Sequence, residues 1–228
     1  MVNLSSSAVT VVVRYRNEQQ YVEAILAGRL DPDLVRWGYA HGIFPMADPD
    51  TGKIDWYDPD PRAIFDLNAF HVPHTLRPVL HSGRFRVTLD RAFERVIRAC
   101  GDRASTWISE PIIRCYTGLH EQGSAHSVEA WLGDELAGGL YGVAIGGAFF
   151  GESMFHAKTH GSKVALAGLV RQLRRQGFLL LDIQFVTSHL ARFGGELIPR
   201  TEYLRRLNRA IRKSCSFARA GQESVVFD

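Results

Sequence analysis

Asp182 and Gln184 flank Ile183 in the otherwise apolar run LLDIQF. In an extended strand, residues two apart point to the same face, so this spacing sets a carboxylate beside an amide. A carboxylate in so apolar a segment is costly to bury unless it is paired or hydrogen-bonded. Two readings follow from the spacing alone. The pair works on a substrate, or it is a buried hydrogen bond that ties its strand to a neighbour.

Other kinds of site are absent from the sequence. There is no GxxxxGK[ST], and Gly161-Ser162-Lys163 is only a fragment of it. No GxGxxG follows a strand pattern, and there is no HExxH. His71 and His74 could share one helical turn, but two histidines without a third ligand do not make a metal site. Cys100, Cys115 and Cys215 are odd in number and widely spaced. They suggest neither a disulfide framework nor a zinc site, and they fit a reducing cytoplasm. No metal and no cofactor are expected.

The elements that must position the pair lie between Ser127 and Phe185. Short β-type runs alternate there with turn signals. A helix pattern follows, in which Leu166, Leu169, Val170 and Leu173 form one apolar face. Gly177 ends that helix, and a strand runs from Phe178 to Phe185. The stretch therefore reads β-β-β-α-β. Its glycine-rich apolar run, Ala137 to Gly151, is too short to span a bilayer and reads as a hairpin of two buried strands.

Upstream, Val11 to Tyr15 suggests a strand and Tyr21 to Leu30 a helix. Asp31-Pro32 gives an N-cap with proline at the first helical position, for a helix that ends at Gly42. The segment 42–62 keeps three aromatics among four prolines and five aspartates. That mixture predicts an ordered loop around a strand from Lys53 to Tyr57 and not a flexible linker. Strands are expected at Arg62 to Leu67 and Arg84 to Leu89, with a short helix from Pro73 to His81 between them. Asp90 is expected to cap a helix through Ala99, and Ser109 to cap one that ends at Gly123. A short helix from Ser188 to Phe193, a turn at Gly194-Gly195, a basic helix from Thr201 to Lys213 and a loose tail from Ser214 complete the chain.

The 228 residues suffice for one large or two small domains. A boundary near residue 103 is expected, with a small α+β domain at 1–103 and a compact α/β unit at 104–228. The net charge of +3 permits an anionic partner without requiring one. No secretory signal is visible. A cytoplasmic monomer without a membrane partner is expected.

The β-β-β-α-β order resembles the acetyltransferase superfold, giving an overall α+β expectation with a GNAT-like C-terminal domain. Coenzyme A enzymes of that fold cradle a pyrophosphate in an R/Q-x-x-G-x-G/A loop at the helix start. Here the loop is HAKTHGS, from His156 to Ser162, and the pattern is missing.

Longer motifs are more specific. They are GIFPM (42–46), WYDPDPR (56–62), WIS (107–109), HSVEAW (126–131), GGLYGVAIG (138–146), GESMF (151–155), LLDIQF and IPRTEYL (198–204). Together the chain resembles the leucyl/phenylalanyl-tRNA–protein transferase family over residues 35–208. The resemblance implies transfer of leucine or phenylalanine from charged tRNA to proteins that begin with arginine or lysine, as a tag for N-end rule degradation. It implies Leu-tRNA and Phe-tRNA as donors and needs neither nucleotide nor metal, because the tRNA ester is already activated.

The resemblance also assigns residues. Asp182 and Gln184 become the catalytic pair, with Asp182 polarising Gln184, which helps to deprotonate the attacking amine. An amide is a poor base, so physical chemistry favours Gln184 as the group that positions the amine and Asp182 as the group that fixes it. Glu152 would attract the acceptor's cationic side chain or hold the donor's α-amine. Its ordinary reading is a strand-end charge paired with an arginine. Leu140, Phe149, Leu166, Leu169 and Leu181 would form the donor side-chain pocket, and otherwise they are simply core. Trp107 would stack on the 3′ adenosine. Met46 stands where the family usually has tryptophan, which weakens stacking, and Trp56 could compensate. Phosphates of the tRNA would meet Arg84, Arg86, Arg205 and Arg206, with Arg171, Arg174 and Arg175 as further candidates. Without the resemblance, each of these basic residues reads first as part of a solvated face, Arg171, Arg174 and Arg175 above all.

Three alternatives remain open from sequence. They are a coenzyme A-dependent acyltransferase of the same fold, a non-catalytic module that grips N-termini or tRNA, and a related transferase acting on acidic N-termini.

Overall fold

The computed structural model describes Tyr15 and residues 17–218 and 224–227. Two helices open the chain, α1 (Glu18–Leu26) and α2 (Pro32–Ala40). Asp31 caps α2 by accepting from the Leu34 N–H, and Gly42 closes it at φ +84°. The strand expected at Val11 to Tyr15 lies outside the described residues apart from Tyr15, which is not in a strand.

The aspartate- and proline-rich segment is more ordered than expected. It folds into an antiparallel hairpin of β1 (Phe44–Ala47) and β2 (Ile54–Tyr57). A main sheet then collects β3 (Arg62–Phe65), β4 (Arg86–Leu89), β5 (Ala125–Leu132), β6 (Glu135–Ile145), β7 (Ala148–His156), β8 (Leu180–Gln184), β9 (Gly195–Ile198) and β10 (Ser224–Val225). The helices among them are α3 (Arg77–His81), α4 (Phe93–Gly101), α5 (Glu110–Glu121), α6 (Gly161–Arg175), α7 (Ser188–Ala191) and α8 (Arg200–Ile211). The strand order is β10-β4-β5-β6-β7-β8-β3-β9. All pairings are antiparallel except β7 with β8, which α6 joins as a crossover. The structure is thus mixed α and β, and the β-β-β-α-β reading of the central stretch corresponds to β5 through β8.

Alternation along the strands builds two cores, one on each face of the sheet. Tyr141, Phe150, Leu180 and Ile64 point to a core shared with α2, α4, α5 and α8. Their neighbours Leu140, Phe149, Leu181 and Phe65 point to a core shared with α6. All four leucine and valine positions expected on the inner face of α6 are buried. Gly138 and Gly161 let α6 sit on β6: a Cβ on Gly161 would lie 2.1 Å from the Ala137 carbonyl oxygen. The strands β3 and β4, from the first 103 residues, are built into this one sheet with β5 to β9.

Several local expectations are corrected. Asp90 does not cap a helix. It sits at φ +58° and accepts from the Ser127 N–H and from His126. Ser109 precedes α5 without capping it through its side chain. Gly194-Gly195 leads directly into β9, which pairs with β3. The tail beyond Ser214 is docked where it is described. Phe217 is buried against Phe149 and His126, and β10 pairs with β4.

Candidate active site

The strands β7 and β8 pair only from Ala148 to Phe150 against Leu180 to Asp182, and beyond that point the site opens. Two irregularities sit at the opening. The register between β6 and β7 shifts so that Tyr141 faces Ser153 while Gly142 faces Gly151, which leaves Glu152 as the extra residue of a bulge. Bulges of this kind re-aim a side chain. On β8, Gln184 adopts φ +62°, the left-handed region that a non-glycine residue enters only when its surroundings impose it.

Those surroundings are built on Arg62 and Asp182, both fully buried. The Arg62 guanidinium donates to the Asp182 carboxylate through Nε (3.1 and 3.2 Å) and Nη2 (2.8 Å), and through Nη1 to the Gly42 carbonyl (3.1 Å). It lies between the Phe44 and Tyr203 rings, 4.6 and 4.7 Å from their centroids. Burial alone would lower the affinity of Arg62 for its proton. The Asp182 charge and hydrogen bonds outweigh that, and its pKa is raised. Asp182 also accepts from Tyr203 Oη (2.6 Å) and from the Gln184 backbone N–H (2.8 Å). That last bond holds Gln184 in its unusual conformation.

The carboxylate and the amide therefore meet differently from the spacing argument. Asp182 contacts the backbone of Gln184. The Gln184 side chain instead donates through Nε2 to Glu152 Oε1 (3.0 Å). Tyr116 Oη donates to Glu152 Oε2 (3.2 Å) and shares a hydrogen bond of 2.5 Å with Tyr39 Oη. No arginine pairs with Glu152 among the described residues. Burial pushes its carboxyl up to about 7, helped by the Asp182 charge and opposed by the tyrosine and glutamine hydrogen bonds. Asp182, with its positions filled by fixed donors, is an anchor. Glu152, poised near neutrality, is the group able to exchange a proton.

Beside Glu152 lies a cavity of about 110 Å³, walled by Leu140, Leu166, Leu169, Leu181, Ile183 and Leu190, with Tyr141, Glu152 and Ser153 among its other lining groups. Four of the five expected pocket residues line it. Phe149 does not, being packed into the core against Phe217. An apolar cavity of about 150 Å³ holds a benzene ring. This one, at about 110 Å³, has the size of a single apolar side chain.

The expected adenosine contacts lie on the hairpin side. The Ala47 N–H donates to the Trp107 carbonyl (3.3 Å), which brings β1 and Trp107 together. Met46, Trp56 and Trp107 are partly buried against the same core. Trp56 is committed to α2: a Cβ on Gly38 would lie 2.3 Å from its ring. The basic residues divide between the ends of the sheet. Arg84 and Arg86 are exposed near and on β4. Arg205 and Arg206 lie on α8, each held by Glu202 at 2.7 Å. A groove of about 1160 Å³ between α3, α6 and the C-terminal segment carries Arg77, Arg171, Arg174 and Arg175 over an apolar floor.

A family model for leucyl/phenylalanyl-tRNA protein transferase matches residues 64–208, and one for its N-terminal domain matches residues 28–60. The chain belongs to the leucyl/phenylalanyl-tRNA protein transferase family. The relatives named leucyl/phenylalanyl-tRNA–protein transferase include that of Salinibacter ruber, 58% identical over 80% of this chain and 80% of its own. That of Rubrobacter xylanophilus is 53% identical over 83% and 100%, and that of Gloeobacter violaceus 52% over 82% and 97%. Among solved structures, L-PGS from Bacillus licheniformis matches 71% of this chain and 55% of its own at 14% identity, with a TM-score of 0.39. The two matched transferase regions meet between residues 60 and 64, at the step from the hairpin into β3.

Sequence reasoning had passed over Arg62, Tyr39, Tyr116 and Tyr203. Arg62 stood inside the quoted WYDPDPR motif, and an arginine opening an apolar strand was the available signal. Tyr203 stood likewise inside IPRTEYL; Tyr39 and Tyr116 carry no local signal, because only the tertiary fold gathers them around Glu152.

Proposed function

We propose that the protein transfers leucine or phenylalanine from its charged tRNA to the N-terminus of proteins that begin with arginine or lysine, an N-end rule tag. Membership of the transferase family supports the reaction class. The observation that carries the site is the Glu152–Gln184 pair, held by Asp182 and Arg62 at the mouth of an apolar cavity of one side chain's size. In the same reading, the opened β7–β8 pair with its α6 crossover is a GNAT-like core.

The reaction is aminolysis of an ester. The α-amine has a pKa of about 7.7–8.0, so a useful fraction is neutral near pH 7. Positioning supplies much of the rate. The donor side chain enters the apolar cavity and brings its ester to the rim. The Gln184 amide nitrogen is committed to Glu152, which leaves its oxygen to accept an N–H from the incoming amine. Glu152 takes the proton released as the C–N bond forms and returns one to the departing ribose oxygen, a shuttle suited to a group near pH 7. Asp182, bonded to Arg62 and Tyr203, positions Gln184 through its backbone N–H. In the same reading, tRNA phosphates meet the basic groove beside α6 and the arginines near β4, whose exposed positive charge supports that role.

The same geometry argues against a coenzyme A donor. Both the Ala157 and Lys158 N–H groups donate to the Ala137 carbonyl at 2.9 Å, so this backbone is committed to β6. The test is transfer of label from Leu-tRNA and Phe-tRNA to peptides beginning Arg, Lys, Asp or Ala, without ATP or coenzyme A. Labelling confined to Arg and Lys peptides is expected. Labelling of Asp peptides would overturn the acceptor rule, and labelling only when coenzyme A is added would overturn the donor.

A further inference from the structure

Arg86, Arg91 and Arg95 line one open pocket of about 300 Å³, together with Ala92, Trp131 and Asp134. Arg86 comes from β4, Arg91 from the loop that follows it and Arg95 from α4. Trp131 holds two of them. The guanidinium carbons of Arg86 and Arg95 lie 5.6 and 5.3 Å from the centroid of its ring, within the range of a cation–π contact. The ring itself is fixed. It is buried, and its Nε1–H donates to Thr88 Oγ1 (2.7 Å), which in turn donates to the buried Glu129 carboxylate (2.5 Å).

These arginines lack an anion. None of the three guanidiniums makes an ion pair or a hydrogen bond among the described residues, and all three residues are exposed. Arg98, one turn beyond Arg95 on the same helix, pairs with both Glu94 (3.0 Å) and Glu110 (2.6 Å). Asp134 is the one acidic residue in the pocket's lining, against three positive charges. Like charges gathered in one concavity focus a positive field. The pocket also takes in the start of α4. The Ala92 N–H goes to Glu129 (3.2 Å), and Ala92, the N-cap residue, has no side chain to cap the turn that follows. Alanine is a poor N-cap, and a helix start favours negative charge. Both features ask for the same ligand, a group whose oxygens share negative charge. Arginine forks match phosphate in this way.

The position says whose phosphate it is. Along β6, Leu136 faces Trp131, whereas Tyr141 faces Ser153, next to Glu152. At strand spacings, the pocket lies on the order of 20 Å from Glu152. That is too far for a terminal nucleoside seated at the donor cavity, and it falls to the nucleotides behind it. Trp131 belongs to the same core as Trp107 and Met46, so the pocket is on the side of the sheet where the tRNA end is expected. We propose that Arg86, Arg91 and Arg95, ordered around Trp131, form a phosphate pocket that grips the backbone of the donor tRNA behind its aminoacylated end. The identity of the RNA rests on the transferase reading above. Arg91 and Arg95 extend the tRNA contact beyond Arg84 and Arg86.

The test measures Kd for uncharged tRNA across a salt series, on the wild type and on Arg91→Gln, Arg95→Gln and Arg98→Gln. Loss of one phosphate contact makes the slope of log K against log salt shallower by about 0.7–0.9. R91Q and R95Q should each show that change, with tRNA binding several-fold weaker at low salt. R98Q, with the same change in net charge, should keep the wild-type slope. R91Q and R95Q should also bind an unreactive adenosine 3′-amide of leucine as the wild type does, since that ligand ends short of the pocket. A wild-type slope in R91Q and R95Q, an equal change in R98Q, or a weakening shared by the leucyl amide would overturn the proposal. Pyrophosphate, titrated alone, separates the sources of the phosphate. Affinity for it that depends on Arg91 and Arg95, with a tRNA slope that does not, would give the pocket to a free anion and overturn the tRNA assignment. Transfer from Leu-tRNA, assayed in parallel, separates the pocket from the reaction. The expected slopes without transfer would break the reaction reading and leave the pocket standing, whereas transfer with unchanged slopes would do the reverse.

Discussion

Replacing Glu152 with glutamine should make the protein more stable above pH 7 while disabling it. Burial raises the Glu152 carboxyl from the ordinary 4.5 to about 7. In the unfolded chain the group ionises near 4.5, so between about pH 4.5 and 7 the unfolded state has lost a proton that the folded state keeps. Stability is then lost as pH rises through that window, and the loss is complete above about 7. At 1.36 kcal/mol per pH unit, the displacement corresponds to roughly 3 kcal/mol. Glutamine has the same shape and carries no charge to desolvate; its one oxygen can accept from Gln184 while its amide nitrogen donates to Tyr116 Oη. Urea unfolding of both proteins across this pH range gives the answer. E152Q should match the wild type near pH 4.5 and exceed it by about 3 kcal/mol at pH 8, or roughly 6–12 °C in melting temperature for a chain of this size. A difference that does not vary with pH, or a less stable E152Q at pH 8, would refute the assignment of Glu152 as an enclosed, reluctantly ionised carboxyl.

Three further substitutions probe other parts of the site. Arg62→Met leaves the buried Asp182 charge without its cation and should lower stability by about 3–5 kcal/mol in calorimetry, with transfer lost as Gln184 is released. Ile183→Val enlarges the donor cavity by one methylene and should move the Phe-to-Leu ratio of kcat/KM toward phenylalanine by about tenfold. An unchanged ratio would mean that Ile183 does not meet the side chain. Met46→Trp adds a stacking face beside Trp107 and should tighten adenosine-ended donors by about 1–3 kcal/mol without changing the single-turnover rate.

Local pattern made part of this molecule legible and left part hidden. The run of glycine-punctuated apolar strands and the four apolar positions of α6 revealed β5 through β8, because period and turn chemistry are properties of neighbouring residues. LLDIQF pointed to the buried Arg62–Asp182–Gln184 cluster for the same reason: a charge in a buried strand stands out in any frame. The partners of that charge did not stand out. Arg62 lies 120 residues from Asp182 in sequence, and Tyr203 comes from the last long helix, so their meeting is a product of strand order. Gln184 was expected to face Asp182 through its side chain. The left-handed backbone turns that side chain to Glu152 instead, a local conformation that no alternation rule contains. The strands β1, β9 and β10 did not show: β1 carries Pro45, β9 opens on Gly195, which reads as a turn, and β10 has two residues. Asp90 was misread because its carboxylate serves His126 and Ser127 across the sheet and not the helix that follows it.

The most direct test of the account is the single-turnover rate of transfer from Leu-tRNA to an arginine-initiated peptide, compared between the wild type and E152Q at saturating donor and acceptor. If Glu152 shuttles the proton at the rim of the donor cavity, the rate should fall by about 10²–10⁴-fold, and the remaining pH dependence should reduce to that of the peptide α-amine, at about 7.7–8.0, while the unreactive leucyl amide still binds within a few-fold of its original Kd. A wild-type rate in E152Q would contradict the account and move the proton transfer away from Glu152.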